Sequence, residues 1–168
     1  MFDDTKTNEI GLITQQIAER LKHRKETISI AESSTGGLIS ASLLTTPGAS
    51  AFFLGGTVVY TLASRRAFLD IDKARVKGLK PLTQEMVAEF AHAARRKLDA
   101  TWGLAELGAS GPAASPYGHA AGTSVVGVAG PADRNITIST GSDDRAGNMT
   151  SFTLAALSHL LATLKEFD

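Results

Sequence analysis

The chain contains no cysteine, which excludes disulfides, thiolate catalysis and sulfur-ligated metal sites. It also lacks net charge: 17 Lys and Arg balance 17 Asp and Glu. No overall field draws in a phosphate backbone or an anionic lipid surface, so neither nucleic acid nor a membrane is expected as a partner. Long apolar runs are missing as well. No stretch approaches the roughly 20 apolar residues of a membrane span, and residues 1–12 carry Asp3, Asp4 and Glu9 where a signal peptide has a continuous apolar segment; a cytoplasmic location is expected. Proline is scarce, at 5 in 168 residues, while 43% of the chain is hydrophobic. That is material for one core of ordinary depth, and a single domain over residues 1–168 is expected.

What is there is strongly patterned. Ile10, Ile13, Ile17 and Leu21 recur at helical spacing among polar residues, the mark of an amphipathic helix laid on a core. Residues 27–31 alternate with period two, and Thr35-Gly36-Gly37 then leads into the apolar segment 38–44, giving strand, tight turn and helix. After Pro47-Gly48, residues 49–54 fit a helical turn, and Gly55-Gly56 leads to a short β-branched and aromatic strand at 57–60. From Thr83, the spacing of Met86, Val87, Phe90, Ala91, Ala94 and Leu98 predicts a helix, with Glu85 and Glu89 early and Arg95, Arg96 and Lys97 late, each sign suited to its end of the macrodipole.

Three strands follow, at 102–107, 123–129 and 135–140, the last half-exposed. Asp143-Asp144 is placed to cap a long closing helix carrying Met149, Phe152, Ala156, Leu160 and Leu164. The expectation is a layered α/β/α domain with a mixed sheet of about five strands, mixed because no helices separate the late strands. A half-exposed edge beside several apolar strands also favours self-association into a small homo-oligomer.

Three segments attract chemistry. Ser33-Ser34-Thr35-Gly36-Gly37 joins a strand to a helix N-terminus, where unpaired N–H groups and the positive end of the dipole attract negative charge. A hydroxyl there could act as nucleophile, its oxyanion held by the same N–H groups; the spacing equally fits a turn whose hydroxyls only cap the helix. Tyr60 and Gly108-Ala109-Ser110-Gly111-Pro112 fall at the ends of two other strands. If those strands are parallel, the three segments line one crevice at the carboxyl edge of the sheet. Tyr60 also fits a half-buried aromatic with its hydroxyl on water. Glu106, inside an apolar strand, either faces a polar partner or marks a sheet face open to solvent. His119 is the one histidine of the 108–122 loop and has a suitable pKa for a base, though an exposed loop histidine fits as well. No second ligand cluster accompanies Asp143-Asp144, so no metal is expected.

In chain order, Ala31-Glu32-Ser33-Ser34-Thr35-Gly36-Gly37, Pro47-Gly48-Ala49-Ser50-Ala51-Phe52-Phe53, Val59-Tyr60, Gly108-Ala109-Ser110-Gly111-Pro112 and Gly122-Thr123 resemble the motif series of the C-terminal domain of the CinA family, over about Ile10 to Leu164. The resemblance implies a stand-alone amidohydrolase domain that converts nicotinamide mononucleotide to nicotinic acid mononucleotide and ammonia, without cofactor or metal. It implies Ser33 as nucleophile, assisted by Tyr60 and by the residue five positions on. Substrate-binding roles are implied for Ser34, Thr35, Gly36 and Gly37, for Gly108, Ala109, Ser110 and Gly111, and for Arg145.

The chain departs from that family at three positions. The assisting lysine is replaced by Arg65, whose guanidinium stays protonated and cannot take the Ser33 proton, although it can hold a phosphate or carboxylate. Leu107 stands where a hydroxyl residue is usual, and Met149 where a second arginine is common; residues 113–118 replace an acidic Gly-Gly segment. A catalytically silent relative that binds a phosphorylated nucleotide or similar metabolite is therefore the second expectation.

Overall fold

The computed structural model describes residues 4–168. Helix α1 (Asp4–Arg24) leads into strand β1 (Ile28–Glu32), helix α2 (Leu38–Leu44), a short 3-10 turn at Ala49–Ala51, and strand β2 (Phe53–Val58). Helices α3 (Leu62–Leu69) and α4 (Gln84–Lys97) precede strands β3 (Trp102–Ala109), β4 (Thr123–Ala129) and β5 (Arg134–Ser139), and helix α5 (Arg145–Lys165) closes the chain. The strands form one sheet in the order β2-β1-β3-β4-β5. β2, β1 and β3 are parallel, whereas β3, β4 and β5 are antiparallel. The mixed sheet follows from the connections. Parallel neighbours need long crossovers, which α2 and the α3–α4 segment supply, while residues 130–133 suffice to turn β4 back into β5.

Strand alternation divides the core into two layers. Ile28, Ile30, Trp102, Leu104, Val126 and Val128 point to one face, covered by Ile17 and Leu21 of α1, Ile39 and Leu43 of α2, and Leu157 and Leu160 of α5. Ala31, Ala105, Leu107 and Val125 point to the other, covered by Val87, Phe90 and Ala91 of α4. Each large side chain buried here contributes about 1.5–3 kcal/mol. α4 comes closest to the sheet at Gly103, which lies so near the Ala91 carbonyl that a Cβ would collide with it.

Several expected boundaries move. β2 begins at Phe53 and runs through Gly55 and Gly56, so the glycines belong to the strand; a Cβ on Gly56 would strike the Ser40 hydroxyl of α2, and the bare backbone lets that helix close. Tyr60 consequently stands two residues beyond the end of β2. Helix α3 was not anticipated. Its apolar residues include the exposed Leu62 and Phe68, which blur a one-sided pattern, and its sequence signal is the capping box in which Thr61 and Ser64 satisfy each other's backbone N–H groups. Asp144 occupies the position preceding α5 but makes no side-chain cap; its carboxylate lies against the bare Cα of Gly147 instead.

Candidate active site

The parallel arrangement of β2, β1 and β3 brings their carboxyl ends together, as the crevice argument requires. Two fully buried carboxylates stand there, Glu32 at the end of β1 and Glu106 directly opposite it in the β1–β3 register. Both point to the α2 and α5 side of the sheet, beneath the Ser33-Ser34-Thr35 turn. The left-handed backbone of Gly36 and Gly37, at φ 64 and 102, lets the chain swing from β1 into α2 over them.

Glu32 accepts hydrogen bonds from the backbone N–H groups of Gly37 at 3.0 Å, Ile39 at 3.0 Å and Ser40 at 2.8 Å, and from the hydroxyls of Thr35 at 2.7 Å and Ser40 at 2.6 Å. Glu106 accepts from the N–H groups of Ser33 at 3.2 Å and Thr35 at 3.0 Å, from the Ser124 hydroxyl at 2.9 Å, and from the Ser34 hydroxyl in a short contact. This narrows the anion-site expectation for the turn. The N–H groups of Gly37, Ile39 and Ser40 are taken by Glu32, those of Ser33 and Thr35 by Glu106, and those of Gly36 and Leu38 by backbone carbonyls, which leaves these donors unavailable to an incoming oxyanion or phosphate. Burial pushes the Glu106 carboxyl above the usual carboxylate range, and the bonds from Ser34, Thr35, Ser124 and Ser33 hold that rise back.

On the opposite side of β3 a cavity of about 900 Å³ opens between α3, residues 71–82, α4 and the 110–122 loop. Ser33, Tyr60, Arg65, Leu107, Gly108 and Tyr117 are among its walls. Ser33 is only 6% exposed, and among the described residues its hydroxyl has no hydrogen-bond partner, unlike those of Ser34 and Thr35. Tyr60 is exposed at the rim, its phenol oxygen accepting from Arg145 Nη2 at 3.2 Å, while Arg145 Nη1 donates to the Gly111 carbonyl at 2.6 Å. Arg65 lies in the first turn of α3, its guanidinium 5.1 Å over the Phe90 ring and its Nε 3.4 Å from the Val59 carbonyl. Burial pulls its pKa below the ordinary guanidinium value, opposed by Tyr117.

The expected residues therefore divide. Ser33, Tyr60, Arg65 and Gly108 meet at the cleft, and Arg145 joins through Tyr60 and Gly111. Ser34 and Thr35 turn inward to the carboxylates, and Gly36 and Gly37 shape the turn away from the cavity wall. Ala109 and Ser110 are buried, the Ser110 carbonyl being held at 2.9 Å by Nδ2 of Asn148, itself buried. His119 does not line the cavity; its Nδ1 sits 3.3 Å from the Ser115 hydroxyl, which also accepts the N–H groups of Tyr117 and His119 and so ties the loop together. Leu107 presents an apolar wall, and the Met149 methyl comes within 3.3 Å of where a Gly36 Cβ would stand. Sequence reasoning did not single out Glu32; its signal was an acidic residue closing an apolar strand just before a hydroxyl-rich, glycine-rich turn. Among the described residues no group of three or more His, Asp or Glu side chains is placed to hold a metal ion, and no helix is long and apolar enough to cross a membrane.

The family model for the CinA C-terminal domain matches residues 12–164. The chain belongs to the CinA family. A CinA-like protein of Prochlorococcus marinus is 35% identical over 68% of this chain and 27% of its own length. A CinA-like protein of Salinibacter ruber is 30% identical over 88% of this chain and 36% of its own length. The chain thus spans about a third of the length of those curated relatives. The fold is shared with a competence or damage-inducible protein from Enterobacter asburiae, at TM-score 0.85 and 25% identity over 92% of this chain and 98% of that one. It is shared equally with competence damage-inducible protein A from Klebsiella pneumoniae, at TM-score 0.87 and 21% identity over 95% and 99%. Within the CinA fold, the Arg65, Leu107 and Met149 positions all lie on or beside the Ser33 turn and its cleft.

Proposed function

We propose that this CinA-type chain is a metal-independent amidohydrolase acting on a nicotinamide-type nucleotide or a related small amide. One observation carries the proposal: of the three successive hydroxyls in the turn, Ser33 alone faces the cleft and lacks a partner among the described residues, while buried carboxylates hold Ser34 and Thr35. Ser33 Oγ attacks the carboxamide carbon, and its proton passes by way of the Tyr60 phenol to the amide nitrogen. The C–N bond breaks, ammonia leaves, and the acyl group remains on Ser33. Water then cleaves that ester, releasing the carboxylate and restoring the serine. Arg145, bonded to the Tyr60 oxygen, leaves the phenol hydrogen free to be passed on and offers a positive charge to an anionic part of the ligand. Arg65 supplies a second cation and takes no proton.

The test is ammonia release from nicotinamide mononucleotide by purified protein, with Ser33→Ala as control. Turnover abolished by the substitution is the expected result; turnover that survives it removes Ser33 from the mechanism. Arg65 and Leu107 favour a second reading, a silent relative that keeps the pocket and binds a phosphorylated metabolite. It predicts a ligand-induced rise in melting temperature without product.

A further inference from the structure

Arg65 presents a charge that the protein itself leaves uncompensated. Phe90 covers one face of the guanidinium at 5.1 Å and the Val59 carbonyl lies 3.4 Å from Nε. Among the described residues, Nη1 and Nη2 have no hydrogen-bond partner and no carboxylate comes within ion-pair distance of either. Asp72 lines the same cavity, but its Oδ1 accepts the Arg75 N–H at 2.9 Å. The other charged side chains on the wall, Arg66 and Lys73, are cationic and exposed. Arg65 is half-buried, so its guanidinium keeps only part of its hydration, and a ligand that brings an anion to it makes up for the part that is lost.

The shape of the cleft narrows the ligand. A guanidinium presents parallel N–H donors that match the two oxygens of a carboxylate, whereas a carboxamide turns its own NH2 donors toward one of them. Phe90 lies against Arg65, and Ile71, Met86 and Leu107 add apolar lining to the same cavity, which suits a flat ring. Ser33 and Gly108 line the same cavity, and in the proposed reaction the acyl carbon sits at Ser33.

We infer that Arg65 makes the cleft selective for a ring-bearing carboxylate over the corresponding carboxamide, so that the chain holds the acid side of its reaction more tightly than the amide side. The inference rests on the cleft being the pyridine-nucleotide site proposed above. The lowering of the Arg65 pKa by burial is consistent with a guanidinium partly removed from water and awaiting a counter-ion.

The test is isothermal titration of wild type, Arg65→Met and Arg65→Lys with nicotinic acid mononucleotide and with nicotinamide mononucleotide, which differ at the ring substituent alone. Wild type should bind the acid at least about tenfold more tightly. Arg65→Met should lose that preference and, freed of an unpaired cation, should melt no lower than wild type without ligand; Arg65→Lys should keep part of the preference. Equal binding of acid and amide by wild type, or a preference that persists in Arg65→Met, overturns the inference. If neither nucleotide binds, the nucleotide reading fails and the same proteins are titrated with benzoate and benzamide. Benzoate selectivity that depends on Arg65 then upholds the inference, and failure to bind benzoate overturns it.

Discussion

Truncating Glu106 to alanine should be among the most damaging single changes in this domain. The carboxyl is fully buried and accepts from two backbone donors that cannot turn elsewhere, the N–H groups of Ser33 and Thr35. Each buried donor left unpaired costs about 1–3 kcal/mol, so Glu106→Ala should lose about 2–6 kcal/mol, a large share of the roughly 5–15 kcal/mol that holds a typical domain together. Glu106→Gln keeps the volume and one carbonyl oxygen for the two N–H groups, and its NH2 faces the Ser34 and Ser124 hydroxyls, which rotate to accept. Its cost should be about 0.5–1.5 kcal/mol. Urea unfolding measures both, followed by the fluorescence of Trp102, the only tryptophan in the chain and 1% exposed. Midpoints should fall in the order wild type, Glu106→Gln, Glu106→Ala, with similar slopes; an alanine variant as stable as the glutamine variant would refute the argument. A pH series adds a sign. Because burial raises the folded-state pKa of Glu106 above its unfolded value, the folded protein binds this proton more tightly. The associated stability is fully present below the ordinary glutamate pKa and is lost as pH rises through the raised folded value. The advantage of wild type over Glu106→Gln should therefore shrink across that window, and an advantage that grows with pH would contradict the burial account.

Gly108→Ala should cost about 1–3 kcal/mol in the same urea assay, because its Cβ would strike the Ser34 hydroxyl and stand 2.7 Å from Glu106 Oε1 and 3.1 Å from Phe152 Cε2; an unchanged midpoint would show that the turn gives way freely. Tyr60→Phe removes an exposed hydroxyl bonded to Arg145, so stability should change by less than about 0.5 kcal/mol. Its ammonia release should fall about 10²–10⁴-fold, and undiminished turnover would exclude Tyr60 as the proton relay. Arg65→Lys combined with Leu107→Thr restores a group that can lose a proton and a hydroxyl donor on the cleft wall; ammonia release should rise above the parent, with the donor alone contributing roughly 10²–10³-fold. No gain in the double variant would place the divergence elsewhere in the cleft.

Local pattern was enough for much of this protein. The bounds of α2 and β4 follow directly from apolar spacing and turn residues, and Thr83 marks the start of α4 because its side chain accepts the Met86 N–H at 3.3 Å. The missing helices between the late strands already required a mixed sheet, and the ordered motifs located Ser33, Tyr60, Arg65 and Gly108, which the fold brings to one cleft. Pattern failed where a residue's meaning depends on a distant neighbour. Gly55 and Gly56 read as a lead into a strand because the Ser40 hydroxyl that presses on Gly56 belongs to another element. Glu106 left two readings open, since alternation fixes only that it faces away from Leu107. The β1–β3 register decided between them, setting the carboxylate under a turn 73 residues away in the chain. The same register, with Glu32, decided that the N–H groups of Gly37, Ile39 and Ser40 are spent inside the protein, while Arg65 stands at the cleft and Arg145 joins it through Tyr60 and Gly111. Periodicity and turn chemistry act over a few residues and are written along the chain; who satisfies a buried donor or compensates a buried charge is settled only when distant segments meet.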